Sequence, residues 1–249
     1  EIYGYFNLAP SADNWAKIYP ASSIGVHSVS EVTLLDALRP AFEDAIVVAF
    51  EASPMLTRLM SKLAVAFIDV RAHSERFLDD LPLSFFSNSR SIQSAISRYR
   101  LRPEIVEDRV RRLRNQLNDD RVRSRSVVFM AQTACDSSVI EPEGAFFRVE
   151  PYLETIERLV EAFGADTLLI KSHPLEPNSE VVKALLQLPN SEVTIENSYE
   201  LMLSDDVVAF IAYSSSSGYE AIAFGKPVCW LSKARPIEKY IPVMFEYRS

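Results

Sequence analysis

The second half of this chain alternates short β-branched apolar runs with amphipathic stripes, and that rhythm restricts the fold more than any other feature. Val127-Val128-Phe129-Met130 predicts a buried strand. Residues 151–163 place Leu153, Ile156, Leu159, Val160 and Phe163 on one helical stripe, which Gly164 ends. Strands expected at 167–170, 193–195, 207–212 and 227–231 then alternate with helices expected at 179–188, 199–203 and 218–224. Such alternation indicates a parallel sheet covered by helices on both faces.

The first half follows the pattern more loosely. Strands are expected at 24–26, 46–50, 65–68 and 83–86, and helices at 34–38 and 55–63. An Arg-rich helix over 103–118 connects the halves. The expected class is α/β with two Rossmann-like halves around a cleft, divided as 1–118 and 119–249. A length of 249 residues fits one large or two small α/β domains.

The formal charge of −8 makes the average surface repel phosphate backbones. Arg109, Arg111, Arg112 and Arg114, continued by Arg121, Arg123 and Arg125, are interleaved with Glu104, Glu107, Asp108, Asp119 and Asp120. That pattern is a solvated helix face with internal ion pairs, or else a contact for an anionic acceptor or lipid head group. No aromatic residues interleave the arginines, so nucleic acid is not an expected partner. Two cysteines, Cys135 and Cys229, are too few for a disulfide scaffold or a four-ligand zinc site. They fit a cytoplasmic protein, with peripheral contact at the inner face of a membrane as an extension of that expectation. No apolar run has the length of a membrane span, and the sequence opens on Glu1, which fits an excised domain.

In open α/β sheets, ligands bind beyond the carboxyl ends of the strands, so chemistry is sought there. Lys171-Ser172-His173-Pro174 follows the 167–170 strand. Pro174 biases His173 toward extended backbone and aims its imidazole across the strand end. There it meets a phosphate oxygen or a base, or is satisfied within the loop. Ser214, Ser215, Ser216 and Ser217, followed by Gly218, leave the 207–212 strand and open the next helix. The serines are an anion site at a helix N-terminus or a simple cap. Gln132 and Asp136 follow the 127–130 strand, where Asp136 is a nucleophile, a base or a local Asx-turn. In the first half Glu51 is a second strand-end carboxylate, and His73 and Arg76 fall in a mixed-charge segment that faces the cleft or only pairs at the surface. With six glycines there is no dinucleotide fingerprint or P-loop, and no G-x-S-x-G elbow or HExxH is present. A metal or other cofactor is not expected.

Lys171-Ser172-His173-Pro174, the serines 214–217 and the segment Glu220-Ala221-Ile222-Ala223-Phe224-Gly225-Lys226-Pro227-Val228 together resemble the C-terminal half of bacterial capsule and lipopolysaccharide glycosyltransferases. These include the retaining β-Kdo transferases (Kdo is 3-deoxy-manno-octulosonic acid) and, more distantly, bacterial sialyltransferases. Gln132-Thr133 with Asp136-Ser137-Ser138 is closer to the capsule Kdo-transferase pattern, and Phe50-Glu51 and the segment from His73 to Leu81 also look like that family. The resemblance covers 50–231. It implies a GT-B-like architecture, an acceptor-side N-terminal half and a donor-side C-terminal half. It further implies a CMP-activated acidic sugar as donor, and a surface polysaccharide or glycolipid as acceptor. Lys171, His173, Pro174, the serines 214–217, Gln132 and Glu220 would then surround the donor. Asp136 would be the nucleophile and Glu51 its acid/base partner, with His73 and Arg76 on the acceptor side. A chain of this length is short for that architecture, and no crossing helix is evident after Leu231. The rival expectations are an inverting, sialyltransferase-like enzyme and a non-catalytic sugar-nucleotide or glycan-binding module.

Overall fold

The computed structural model describes residues 11–20, 31–117, 124–232 and 239–244. The strand expected at 24–26 lies outside these residues, as do Arg121 and Arg123. Among the described residues two sheets are present, of four and five strands.

The five-stranded sheet contains β4 (Ser126–Met130), β5 (Thr167–Lys171), β6 (Ser191–Thr194), β7 (Val207–Ala212) and β8 (Val228–Trp230), in the order β6-β5-β4-β7-β8. Every pairing is parallel. This half matches the expectation from alternation. All five residues of β4 are buried, because successive side chains enter different cores. Val127 and Phe129 join Ala209 and Ile211 beneath Ile156 of α6 (Leu153–Ala162) and Val182 and Leu185 of α7 (Glu180–Leu185). Val128 and Met130 join Phe210 and Ala212 on the other face. That face is covered by Val110 of α5 (Pro103–Gln116), Leu201 and Met202 of α8 (Ser198–Leu203), and Ala221 and Phe224 in and after α9 (Ser216–Ala223).

The four-stranded sheet runs β1-β2-β3-β9, from β1 (Ile46–Phe50), β2 (Ala66–Ala72), β3 (Leu83–Ser87) and β9 (Ile241–Val243). Only β1 and β2 are parallel; β3 is antiparallel to both of its neighbours. A Rossmann-like parallel sheet was expected here, and the sheet is mixed instead. The segment between β2 and β3 is too short to carry a helix across the sheet, so β3 turns back beside β2. The end of the chain returns to this sheet as β9. One face packs Val47, Ala49, Phe67 and Phe86 against Leu56 and Met60 of α3 (Pro54–Leu63). Two further helices, α1 (Ala12–Ile18) and α2 (Glu31–Phe42), add Ile18 and Leu34 to Met55 and Leu59. The short helix α4 (Arg90–Ser97) follows β3.

The two sheets are tied together at specific points. Phe77, from the loop after β2, inserts beside Phe224, with ring centroids 5.1 Å apart. In the same loop the Arg76 N–H donates to Glu220 Oε1 at 3.0 Å. Gly144, at φ +84°, lies so close to α1 that a Cβ there would stand 3.0 Å from the Lys17 Cα. These ties set the width of the cleft between the sheets. On the Arg-rich helix α5, Arg112 and Arg111 meet Asp108, and Arg109 bonds Asp79 at 3.1 Å and the Phe77 carbonyl at 3.0 Å. Among the described residues no helix is long and apolar enough to cross a membrane.

Candidate functional site

The register of the parallel sheet places the strand ends in one row. Met130 is opposite Lys171 on one side and Ala212 on the other. Lys171 is opposite Thr194, and Ala212 is opposite Trp230. The loops that follow β4, β5 and β7 therefore start at one level on adjacent strands. They open into a cavity of about 730 Å³ between the two sheets. Gln132, Asp136, Lys171, His173, Pro174 and the serines 214–217 all line it, and Glu51 and Arg76 face them from the other sheet.

Hydrogen bonds hold these loops together. Gln132 Oε1 accepts the Ser214 N–H at 3.0 Å, and Gln132 Nε2 donates to Ser138 Oγ at 2.9 Å. Ser214 Oγ donates to the Ser138 carbonyl at 2.5 Å. Glu176 Oε2 accepts the Ala134 N–H at 2.9 Å, which joins the loop after β5 to the loop after β4. Gln132 and Ser214 therefore brace the cavity wall. Ser215 caps α9 by accepting the Ser217 N–H at 3.3 Å. The cap reading holds for Ser215, and all four serines line the cavity.

His173 Nδ1 accepts the Leu175 N–H at 3.2 Å. In that role Nδ1 carries the lone pair, so Nε2 carries the proton and is the donor. Asp136 Oδ1 accepts the Ser138 N–H at 2.7 Å and caps a short 3-10 turn, Ser137–Val139. The Asx-type bond anticipated for it exists, and the carboxylate nonetheless lines the cavity. Glu51 sits at φ +52°, a left-handed conformation uncommon for a side-chain-bearing residue. Its N–H donates to the Val70 carbonyl at 2.8 Å. The next residue, Ala52, donates to the buried Asp69 Oδ1 at 2.9 Å, so the strained turn is held from both sides.

Two residues expected at the site stand elsewhere. Glu220 does not line the cavity: it is 4% exposed, lies a turn along α9 and accepts from the Arg76 N–H and the Tyr199 hydroxyl, each at 3.0 Å. Burial pushes its carboxyl above the ordinary value, against the opposing pull of those two donors. His73 is buried between Ser84, at 2.5 Å from Nδ1, and Glu75 on Nε2. Both serve the interior, because a polar side chain removed from water takes a fixed partner.

The Glu220 shift has a testable consequence. A folded-state pKa raised above the unfolded value means that stability declines as pH rises through the folded value. Glu220→Gln lacks that titration, and its amide oxygen still accepts the same two donors. Its stability relative to the wild type should therefore increase between pH 4.5 and pH 7.5, read from urea-denaturation midpoints. A pH-independent difference would contradict the assignment.

Several cavity residues were not anticipated. Arg71 reaches it from β2, donating to Asp69 Oδ2 at 3.1 Å and to the Ala52 carbonyl at 2.8 Å. Arg58, Lys239, Tyr19, Tyr219 and Trp230 also line it. Tyr19 and Ser137 both line the cavity, and burial raises the pKa of the Tyr19 hydroxyl. The strand-end rule was a sufficient signal for Trp230, whereas Arg71 lies beyond the strand end expected at 68 and nothing around Tyr19 marks it. The wall thus carries Arg58, Arg71, Arg76, Lys171 and Lys239 beside His173, against Glu51 and Asp136. On a chain of net charge −8, this concentration of cations suits an anionic ligand.

No protein-family model matches the chain, and no curated protein matches it. Among solved structures it is similar to KpsC of Thermosulfurimonas dismutans, a β-Kdo 2,7-transferase. The two share 15% identity over 81% of this chain and 69% of that one, with a TM-score of 0.48. So remote a likeness decides nothing about chemistry, and the functional reading stands on the residues themselves.

Proposed function

We propose that the chain is a glycosyltransferase that moves an acidic, Kdo-like sugar from a CMP-activated donor to a glycan or glycolipid hydroxyl. One observation carries the reading: His173, the serines 214–217 and Asp136 line a single cation-rich cavity at the carboxyl edge of a parallel sheet. The motif resemblance of these same residues supplies the choice of a CMP donor.

In this reading the donor phosphate lies at the start of α9, against the N–H groups and hydroxyls of 214–217. The His173 Nε2–H donates to it and Lys171 contributes charge. Asp136 attacks the anomeric carbon; the bond from that carbon to the phosphate oxygen breaks, and CMP leaves with the electron pair. Donors already aimed at the developing phosphate charge stabilise this step without reorganisation. The acceptor hydroxyl then displaces Asp136 as Glu51 takes its proton, and two displacements retain the configuration. The mixed sheet, with Glu51 and Arg76 on its edge, is the acceptor side.

Calorimetric titration with CMP, UDP and GDP tests the donor site, with CMP expected to bind most tightly. His173→Ala should weaken CMP binding by roughly tenfold or more, the order of a lost hydrogen bond to a charged group. Unchanged CMP affinity in that variant would remove His173 from the site. CMP binding with neither donor hydrolysis nor transfer would instead mark a non-catalytic binding module.

A further inference from the structure

We propose that Trp230 and Tyr219 form a stacking shelf for the base of the bound nucleotide, an inference that rests on the donor-site reading above. Trp230 ends β8, opposite Ala212, so it belongs to the same row of strand ends as Lys171 and Met130. Its indole lies against the first turn of α9 because position 218 has no side chain. A Cβ there would stand 2.4 Å from Trp230 Cη2 and 2.9 Å from Cζ2. The Tyr219 ring adjoins it, with centroids 4.7 Å apart and planes at 42°.

Core packing accounts for the other ring pairs of α9. Phe224 meets Phe77 at 5.1 Å and Tyr199 at 5.8 Å inside the hydrophobic cluster. Tyr219 and Trp230 differ from them, because both line the cavity. Trp230 also packs against that cluster, which fixes the ring in place. A rigid, partly open aromatic surface is what a planar base requires. Gly218 touches the indole and directly follows Ser216 and Ser217, so a phosphate at those serines places the base one ribose away, over the rings. Stacking tolerates any base, since each has a π-face. The shelf therefore requires an aromatic base and leaves the choice among bases to polar groups.

The chain has two tryptophans, so Trp15→Phe leaves Trp230 as the sole indole reporter. Trp15 does not line the cavity; it packs with α3 and edge-on against Tyr19, so Phe keeps a ring there. In this variant CMP should quench the emission with a saturating curve, and ribose 5-phosphate, which lacks a base, should not. Trp230→Leu in the otherwise native chain should bind CMP roughly 5- to 150-fold more weakly, the range for loss of one base stack. Its affinity for ribose 5-phosphate should stay unchanged. Tyr219→Leu provides the same comparison if Trp230→Leu does not fold. CMP binding of native affinity in the Leu variants, with emission of Trp15→Phe unaltered by CMP, overturns the shelf and leaves the donor site standing. Quenching by ribose 5-phosphate equal to that by CMP assigns the rings to sugar and also overturns it. No CMP binding by the native chain removes both readings.

Discussion

Asp136→Asn should lower sugar transfer by a factor of about 10³ or more while CMP affinity stays within about twofold of the native value. The two effects separate because Asp136 has two roles in the structure. Its Oδ1 accepts the Ser138 N–H at 2.7 Å, and Ser138 in turn receives Gln132 Nε2 and holds Ser214. The Asn amide oxygen accepts the same N–H, so the bracing of the serine loop persists. What disappears is the anionic oxygen that attacks the anomeric carbon in the proposed mechanism. Asp136→Ala removes both, and should lose about 1 kcal/mol of stability in addition to activity, the usual cost of a missing cap. Transfer is followed by CMP release from a CMP-activated donor, and affinity by calorimetry. Full turnover in Asp136→Asn would show that another group attacks. Mass spectrometry of the native enzyme with donor alone distinguishes the stereochemical alternatives: a retaining enzyme gains a sugar mass on the peptide bearing Asp136, and an inverting one does not.

The parts of this molecule that could be read from sequence are those where burial acts on both faces at once. β4 and β7 bury nearly every side chain, so they appear as uninterrupted apolar runs, and the loops that follow them could be located. β2 was harder. Its expected end at 68 falls where Asp69 interrupts the apolar run, yet the strand continues to Ala72 because Asp69 is neutralised by Arg71 within the fold. Arg71, now in the cavity wall, was missed for the same reason. β9 has three residues, one of them Pro242, and its pairing with β3 is a long-range event with no local signature. α4 does carry Ile92, Ala95 and Ile96 at helical spacing, but over eight residues with none fully buried that stripe is too short to stand out. Glu220 and His73 illustrate the opposite error. Each adjoins residues that line the cavity, but sequence proximity does not say which way a side chain turns, and both turn inward.

Asp69→Ala should reduce stability by about 3–5 kcal/mol, the cost of deleting one partner of a buried ion pair. For a chain of this size that corresponds to a melting temperature about 6–20 °C lower. Asp69 is completely buried, at 0% exposure, and three separate parts of the chain depend on it. Its Oδ1 takes the Ala52 N–H; its Oδ2 takes Arg71 Nε and the hydroxyl of Tyr240, the residue that leads into β9. Alanine would leave a guanidinium, a phenol and an amide without the carboxylate that accepts from all three. Asp69→Asn should lose much less, because its amide oxygen can still serve the Ala52 N–H. The effect reaches the candidate site through the turn at Glu51. The left-handed conformation of Glu51 is held between the Val70 carbonyl behind it and the Ala52 N–H ahead of it. With Asp69 removed, that turn loses its forward tether and Arg71 loses its anchor on the cleft side. Folded Asp69→Ala protein should accordingly lose turnover more than CMP affinity, since the phosphate loops belong to the other sheet. A melting temperature within 2 °C of the native one would mean that these three contacts do not act together.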